Sequence, residues 1–202
     1  MNRTLLIIAA VIGVIIVVLL LTVWPYNRLV TLEEGVDTAW AQVENTYQRR
    51  SDLVPNLVAT VKGAADFEQS TLTAVVEARS KATSMNFENA PTAAQLRDFE
   101  SAQGELSQAL SRLLVVVEAY PQIQATQNFR DLQTQLEGTE NRITVERGRF
   151  NEAAQAYNTS RRRFPTAIVA GLMGFGEKSY FQAEAGAEQP PAVDFSNDNN
   201  NG

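Results

Sequence analysis

The residues best placed to do chemistry are charged ones standing where apolar ones are due. Val36, Trp40, Val43, Tyr47, Val54, Leu57 and Val61 recur in steps of four and three, one face of a helix, and the position between Tyr47 and Val54 is Arg50. A second repeat, Phe129, Leu136, Ile143, Phe150, Tyr157 and Phe164, runs at strict seven-residue intervals. Glu146 falls on that seam between Ile143 and Phe150, with Glu140 and Arg147 beside it. A guanidinium taken out of water is strongly destabilising unless a carboxylate meets it. The expectation is a polar layer of Arg50, Asp52, Asn56, Glu140, Glu146 and Arg147, with Arg50 paired to Glu140 or Glu146. Such a layer fixes helix register; the alternative is a ligand or partner site beside a kink at Pro55.

Other chemistries find little support. The chain has no histidine and no cysteine, so the commonest general base, the commonest transition-metal ligand and the thiolate nucleophile are missing. The Glu-x-x-His pairs of di-metal bundles cannot be built. A Ser–Lys pair would need Lys62, Lys81 or Lys178, and no spacing singles one out. Gly171, Gly174 and Gly176 follow a helix and Pro165 rather than a strand, which argues against a phosphate loop. Trp40, Tyr47, Phe129, Phe150 and Tyr157 keep helical spacing and read as core. A net charge of −6 argues against nucleic acid. No catalytic, cofactor-binding or metal-binding residue is assigned, and no enzyme is expected.

The elements that hold the layer begin with an anchor. Thr4 to Trp24 carries no charge, and its 21 residues are enough for a helix to cross a hydrocarbon layer of about 30 Å. The bulky Thr22-Val23-Trp24-Pro25-Tyr26 is unlike a cleavage site, so residues 1–25 are expected to stay as a single-pass anchor, with Trp24 and Tyr26 at the interface. The fold class expected is all-α: an N-terminal transmembrane helix followed by a long antiparallel bundle of three to four helices over residues 26–182. No segment alternates long enough to suggest a sheet. Thr31 and Glu34 have capping-box spacing and would open a first helix reaching Ser80, bent at Pro55 and near Lys62-Gly63, with Leu72, Val75 and Val76 continuing its stripe. Met85 to Pro91 reads as a loop. Thr92 with Gln95 opens the second helix, whose stripe is Leu96, Phe99, Leu106, Leu110, Leu113, Val117 and Tyr120. Pro121 ends it and starts the third through a very short connection, and Pro165 ends the third. Residues 183–202 are poor in large apolar side chains and are expected to be disordered.

These helices would be about 75, 43 and 65 Å long, so the second cannot cover both of the others. A folded-back Thr71–Ala82 segment, the Phe164–Phe181 tail or another copy of the chain must bury the rest, and a homo-oligomer is expected. Phe164 to Gly176 is apolar, glycine-rich and too short to span a membrane. It either packs back as a turn or offers Leu172, Met173 and Phe175 to a membrane surface or a partner.

Several blocks carry a family resemblance: Ala39-Trp40; Arg49-Arg50-Ser51-Asp52-Leu53-Val54-Pro55-Asn56-Leu57-Val58; Val61-Lys62; Tyr120-Pro121; Glu137-Gly138-Thr139-Glu140-Asn141-Arg142-Ile143; Arg149-Phe150-Asn151; Tyr157-Asn158; Phe164-Pro165; and Gly174-Phe175. In this order, from Tyr26-Asn27 almost to Phe195, the chain resembles the LemA family of bacterial membrane proteins. Phe150 departs from it, standing where tyrosine is expected. The resemblance implies an N-terminal anchor, an all-α bundle and no established enzymatic activity. The expected role is a membrane-anchored, self-associating scaffold or adaptor for other membrane or envelope proteins. The alternative is a sensor binding a small ligand near Arg50.

The amino terminus and Arg3 lie on one side of the anchor and Arg28 is the near cation on the other, so the body is expected outside the cytoplasm, in the bacterial plasma membrane. In the cysteine-free chain, a cysteine added at the C-terminus should react with an impermeant thiol reagent in intact cells. Protection there would place the body in the cytoplasm.

Overall fold

The computed structural model describes residues 3–63 and 67–182, so the disorder expected of 183–202 lies outside the described residues. One helix, α1 (Arg3–Lys62), runs without interruption from the apolar N-terminal stretch into the body. Its 60 residues correspond to about 90 Å. The separate start expected at Thr31 is not there: its hydroxyl donates to the Asn27 carbonyl at 3.0 Å, the habit of a mid-helix threonine. A cap needs chain entering from outside the helix, and here the preceding residues are already helical. The apolar side chains from Leu5 to Trp24 lie outside any core, and this stretch is long and apolar enough to cross a membrane.

The first body helix does not continue to Ser80. α1 stops at Lys62, and α2 (Gln69–Thr83) folds back antiparallel to it. Leu72 and Val75 face the core, but Val76 is 52% exposed, because reversing the chain turns that position outward. Pro55 lies inside α1 and removes the amide that would bond the Ser51 carbonyl. Ser51 is buried, and Arg79 of α2 donates its Nε to that carbonyl at 2.8 Å. The proline therefore leaves an acceptor within α1 that holds α2 in register.

α3 (Ala93–Val117) starts at the expected capping box, with Thr92 and Gln95 each bonding the other's backbone amide. Its stripe from Leu96 to Val117 is buried. Pro121 begins only a single turn, α4 (Pro121–Gln124), which plugs Ile123 into the core. Thr126 then accepts from the Phe129 amide and caps α5 (Gln127–Arg162), so the connection is one turn longer than expected. α5 runs antiparallel to α1, with Arg28 beside Ser160 and Arg50 beside Glu140. Phe129, Leu136, Ile143, Phe150 and Tyr157 are buried, whereas Phe164 is 80% exposed because α5 ends two residues before it. α6 (Thr166–Met173) follows and ends at Gly174, whose φ of 78° is the left-handed conformation that glycine adopts without strain.

Two hydrophobic cores result. The distal one joins Val54, Leu57 and Val61 of α1 to α2, to Leu106–Val117 of α3, to Ile123, and to Phe129 and Leu136 of α5. The proximal one, nearer the apolar N-terminal stretch, joins Leu29, Val36, Trp40, Val43 and Tyr47 to Leu96, Phe99, Ile143, Phe150, Tyr157, Ala170 and Phe181. α2 makes up the missing fourth side distally. Proximally that side comes from the loop carrying Phe87 and Ala90 and from the chain after α6. Two carboxylates of α1 fasten the loop, Glu44 accepting from the Phe87 amide at 3.2 Å and Asp37 from the Ala90 amide at 2.9 Å. Burial pushes the Glu44 pKa up, although the Phe87 amide and the Trp40 side chain oppose this.

Replacing Arg79 by methionine should lower stability by about 1–3 kcal/mol, because the Ser51 carbonyl loses the Arg79 donor. In a Pro55→Ala background residue 55 can supply its own amide, so the same substitution should cost clearly less in urea denaturation. An equal cost in both backgrounds would show that Arg79 acts elsewhere.

Candidate functional site: a polar layer between two cores

Arg50, Gln103 and Thr139 are buried at the level where the two cores meet. On α1 the proximal core ends at Tyr47 and the distal one begins at Val54. On α3 the break falls between Phe99 and Leu106, and on α5 between Leu136 and Ile143. Arg50 is only 3% exposed. Its Nη1 donates to Ser107 Oγ at 2.9 Å and to Glu140 Oε2 at 3.1 Å. Its Nη2 donates to Gln103 Oε1 at 2.7 Å and to the Gln103 carbonyl at 3.2 Å. The guanidinium lies 5.0 Å from the Tyr47 ring centroid. Gln103 passes the network on, donating its Nε2 to the Ala82 carbonyl at 3.3 Å near the end of α2. One guanidinium thus links α1, α3 and α5, and through Gln103 also α2.

The six residues expected in the layer divide. Glu140 reaches Arg50, but from the rim, with its side chain 58% exposed. Glu146 does not: it pairs with Arg149 one turn along α5, at 2.8 Å. Arg147 pairs instead with Glu100 of α3 at 3.0 Å, donates to the Gln182 carbonyl and stacks over Phe181 at 4.6 Å. Burial raises the Glu100 pKa and Arg147 opposes it. Asp52 is on the surface, accepting from Gln48, and Asn56, one turn further on, is exposed on the same side of α1. Both miss the layer because they are two and six residues from Arg50, which turns them to other faces of the same helix.

The partners that do most for Arg50, Gln103 and Ser107, are neutral and gave no sequence signal. A glutamine on an apolar stripe looks like an interruption until its neighbour across the interface is known. Beside the layer opens a cavity of about 540 Å³ lined by Tyr47, Arg50, Glu100, Gln103, Glu140 and Arg147, among others. Its charged lining balances two cations against two carboxylates.

A second set of polar contacts holds the chain after α6. Asn151 exchanges two hydrogen bonds with the Phe181 backbone, at 3.0 and 2.9 Å, and Asn158 does the same with Lys178, at 2.8 and 3.0 Å. Tyr157 donates to the Gly176 carbonyl at 2.9 Å and Arg161 to that of Phe175 at 2.7 Å. Burial, with Glu33 nearby, pushes the Tyr157 phenol up to about 12. The two asparagines are seven residues apart, so α5 presents both on one face to an extended chain. Of the apolar patch expected here, Leu172 and Met173 are 76% and 60% exposed, but Phe175 turns inward, its ring edge-on to Tyr26 at 5.7 Å.

Because Glu140 is solvated, Glu140→Gln should change stability by less than about 1 kcal/mol. Gln103→Leu removes the Oε1 acceptor of Arg50 Nη2, leaving that buried nitrogen only the residue-103 carbonyl, and should cost about 1–3 kcal/mol. Chemical denaturation of the two variants giving the reverse order would show that the ion pair, not the neutral amide, holds the layer.

Comparison with known proteins agrees with this architecture. The LemA family model matches residues 39–195. Magnetosome proteins MamQ 1 and MamQ 2 of Paramagnetospirillum magneticum are each 28% identical over 184 residues, covering 82% of this chain and 67% of theirs. Magnetosome protein MamQ of Magnetospirillum gryphiswaldense is 26% identical over the same shares. A polar layer inside an all-helical body, an apolar N-terminal helix and a family match over most of the chain lead to one conclusion: this membrane-associated protein belongs to the LemA family.

Proposed function

We propose that the chain is a membrane-anchored, non-catalytic scaffold whose helical body holds binding surfaces for other membrane proteins at a set distance from the bilayer. The observation that carries this reading is the continuity of α1, which is one helix from the anchor to the far end of the body. A junction without a loop passes the orientation of the anchor directly to the body. About 57 Å of helix lies beyond Trp24, which sets the reach of the body.

Self-association belongs to this proposal, but by a different route from the one that motivated it. α2, the Phe87 loop and the chain after α6 already cover the body's seams, so a second copy is not needed to bury them. Copies meet instead through the anchor, whose large apolar side chains from Leu5 to Val23 lie exposed, outside both cores. In light scattering of the full chain in detergent, with bound detergent subtracted, the protein should exceed its 22.2 kDa monomer mass. A strict monomer across detergents would remove self-association from the reading.

The cavity beside Arg50 supports a second reading, a ligand-responsive bundle. Its paired opposite charges suit a zwitterion, so free amino acids are the first probes. One of them should raise the thermal midpoint of the wild type and leave Arg50→Met unmoved. No shift with any of them would favour the purely structural role of the layer.

A further inference from the structure

We infer that α6 is an interfacial helix: it lies on the bilayer beside the emerging anchor, with its apolar face in the acyl boundary and the arginines around it on anionic headgroups. This rests on the reading of Thr4–Trp24 as a membrane span.

Position is the first argument. The Tyr26 ring meets Phe175, just after α6, and Arg28 Nε meets Ser160 Oγ near the end of α5 at 3.3 Å. Leu29 of α1 and Ala170 of α6 share one buried cluster. α6 therefore packs beside the turns that directly follow Trp24, where the uncharged run ends. An amphipathic helix at that level meets headgroups rather than bulk water.

Its faces are the second argument. Thr166, Val169 and Ala170 point into the bundle. Ile168 and Leu172, four residues apart, point the other way at 55% and 76% exposure, and Phe164, another four residues back, and Met173 extend the patch. Elsewhere on the body the large aliphatic side chains left exposed among the described residues are single valines, Val76, Val115 and Val145. A contiguous apolar patch continuous with the surface of a membrane span has the bilayer as its natural cover.

Charge is the third. Arg161, Arg162 and Arg163 lead into Phe164, and no Asp or Glu occurs between Glu152 and Glu177. Arg161 is engaged with the Phe175 carbonyl, while Arg162 and Arg163 are exposed. Arg28 reaches toward the Trp24 ring, 5.7 Å from its centroid. Glu33 at this end is paired with Lys178, which leaves Arg162 and Arg163 as an exposed cationic pair beside α6, complementary to anionic lipid.

The full chain contains no cysteine, so single nitroxide labels can be placed at Ile168→Cys and Leu172→Cys, with Val18→Cys and Val115→Cys as membrane and solvent references. In vesicles of phosphatidylcholine with phosphatidylglycerol, labels at 168 and 172 should be relaxed by oxygen several-fold more than by a water-soluble nickel chelate, as at 18 and unlike 115. Omitting phosphatidylglycerol should reduce that ratio, and Arg162→Gln/Arg163→Gln should abolish the dependence. If 18 is lipid-exposed but 168 and 172 behave like 115, α6 does not touch the bilayer and the inference fails while the anchor stands. If 18 also behaves like 115, both fail. Shielding of 168 and 172 from both reagents, with spin–spin broadening that fades on dilution with unlabelled chain, would mean that a second copy covers the patch and would overturn the inference. An unchanged ratio in the double arginine variant would overturn its electrostatic half.

Discussion

A buried guanidinium has to be met by acceptors, and that constraint governs how this bundle is assembled. Arg50 stands in the middle of an apolar stripe and cannot reach water by turning its helix, since that would expose Trp40, Tyr47 and Leu57. Its acceptors must come from the neighbours, and Ser107, Gln103 and Glu140 supply them from α3 and α5. Sliding α3 or α5 by one turn would keep apolar residues in contact but strip the guanidinium of partners. Hydrophobic stripes are tolerant of such slips; a buried guanidinium whose two terminal nitrogens are hydrogen-bonded across the interface is not. The separation of the two cores at this level is the visible consequence.

The remaining architecture answers a mismatch of lengths. α3, with 25 residues, is much shorter than the body part of α1 and than α5, with 36. The chain compensates at each end with a different device. Distally it folds α2 back, held by the carbonyl that Pro55 leaves free. Proximally it lays an extended segment along α5, held by Asn151 and Asn158 through its backbone and by Phe181 in the aromatic cluster around Trp40. Backbone clamping needs no particular sequence in the segment, whereas burying Phe181 does.

Much of this was legible in the residues. The apolar steps from Val36 to Val61 marked the buried face of α1, the heptads from Phe129 to Tyr157 marked that of α5, and Thr92 with Gln95 marked the start of α3. Local patterns failed where the decision was not local. Thr31 had the spacing of a cap, but helix already preceded it. Val76 and Phe164 had the phase of their stripes, but the chain turned before reaching the surfaces that would have buried them. Glu146 sat on a seam, but it accepts from Arg149, a neighbour one turn away, and not from Arg50.

By itself, the sequence determined that the chain is helical, that its first stretch is apolar enough for a membrane, which faces are buried, and that Arg50 requires partners. Those properties follow from periodicity, composition and the solvation of a charge, all carried by a single strand of residues. Only the tertiary structure decided that Gln103 and Ser107 would meet Arg50, that Arg79 would answer Pro55, and that α6 would pack beside the end of the apolar N-terminal stretch with Leu172 outward. Each of these is a contact between distant segments, and neutral donors and acceptors leave no period in a sequence. Their identity emerges only when packing brings one buried polar group within reach of another.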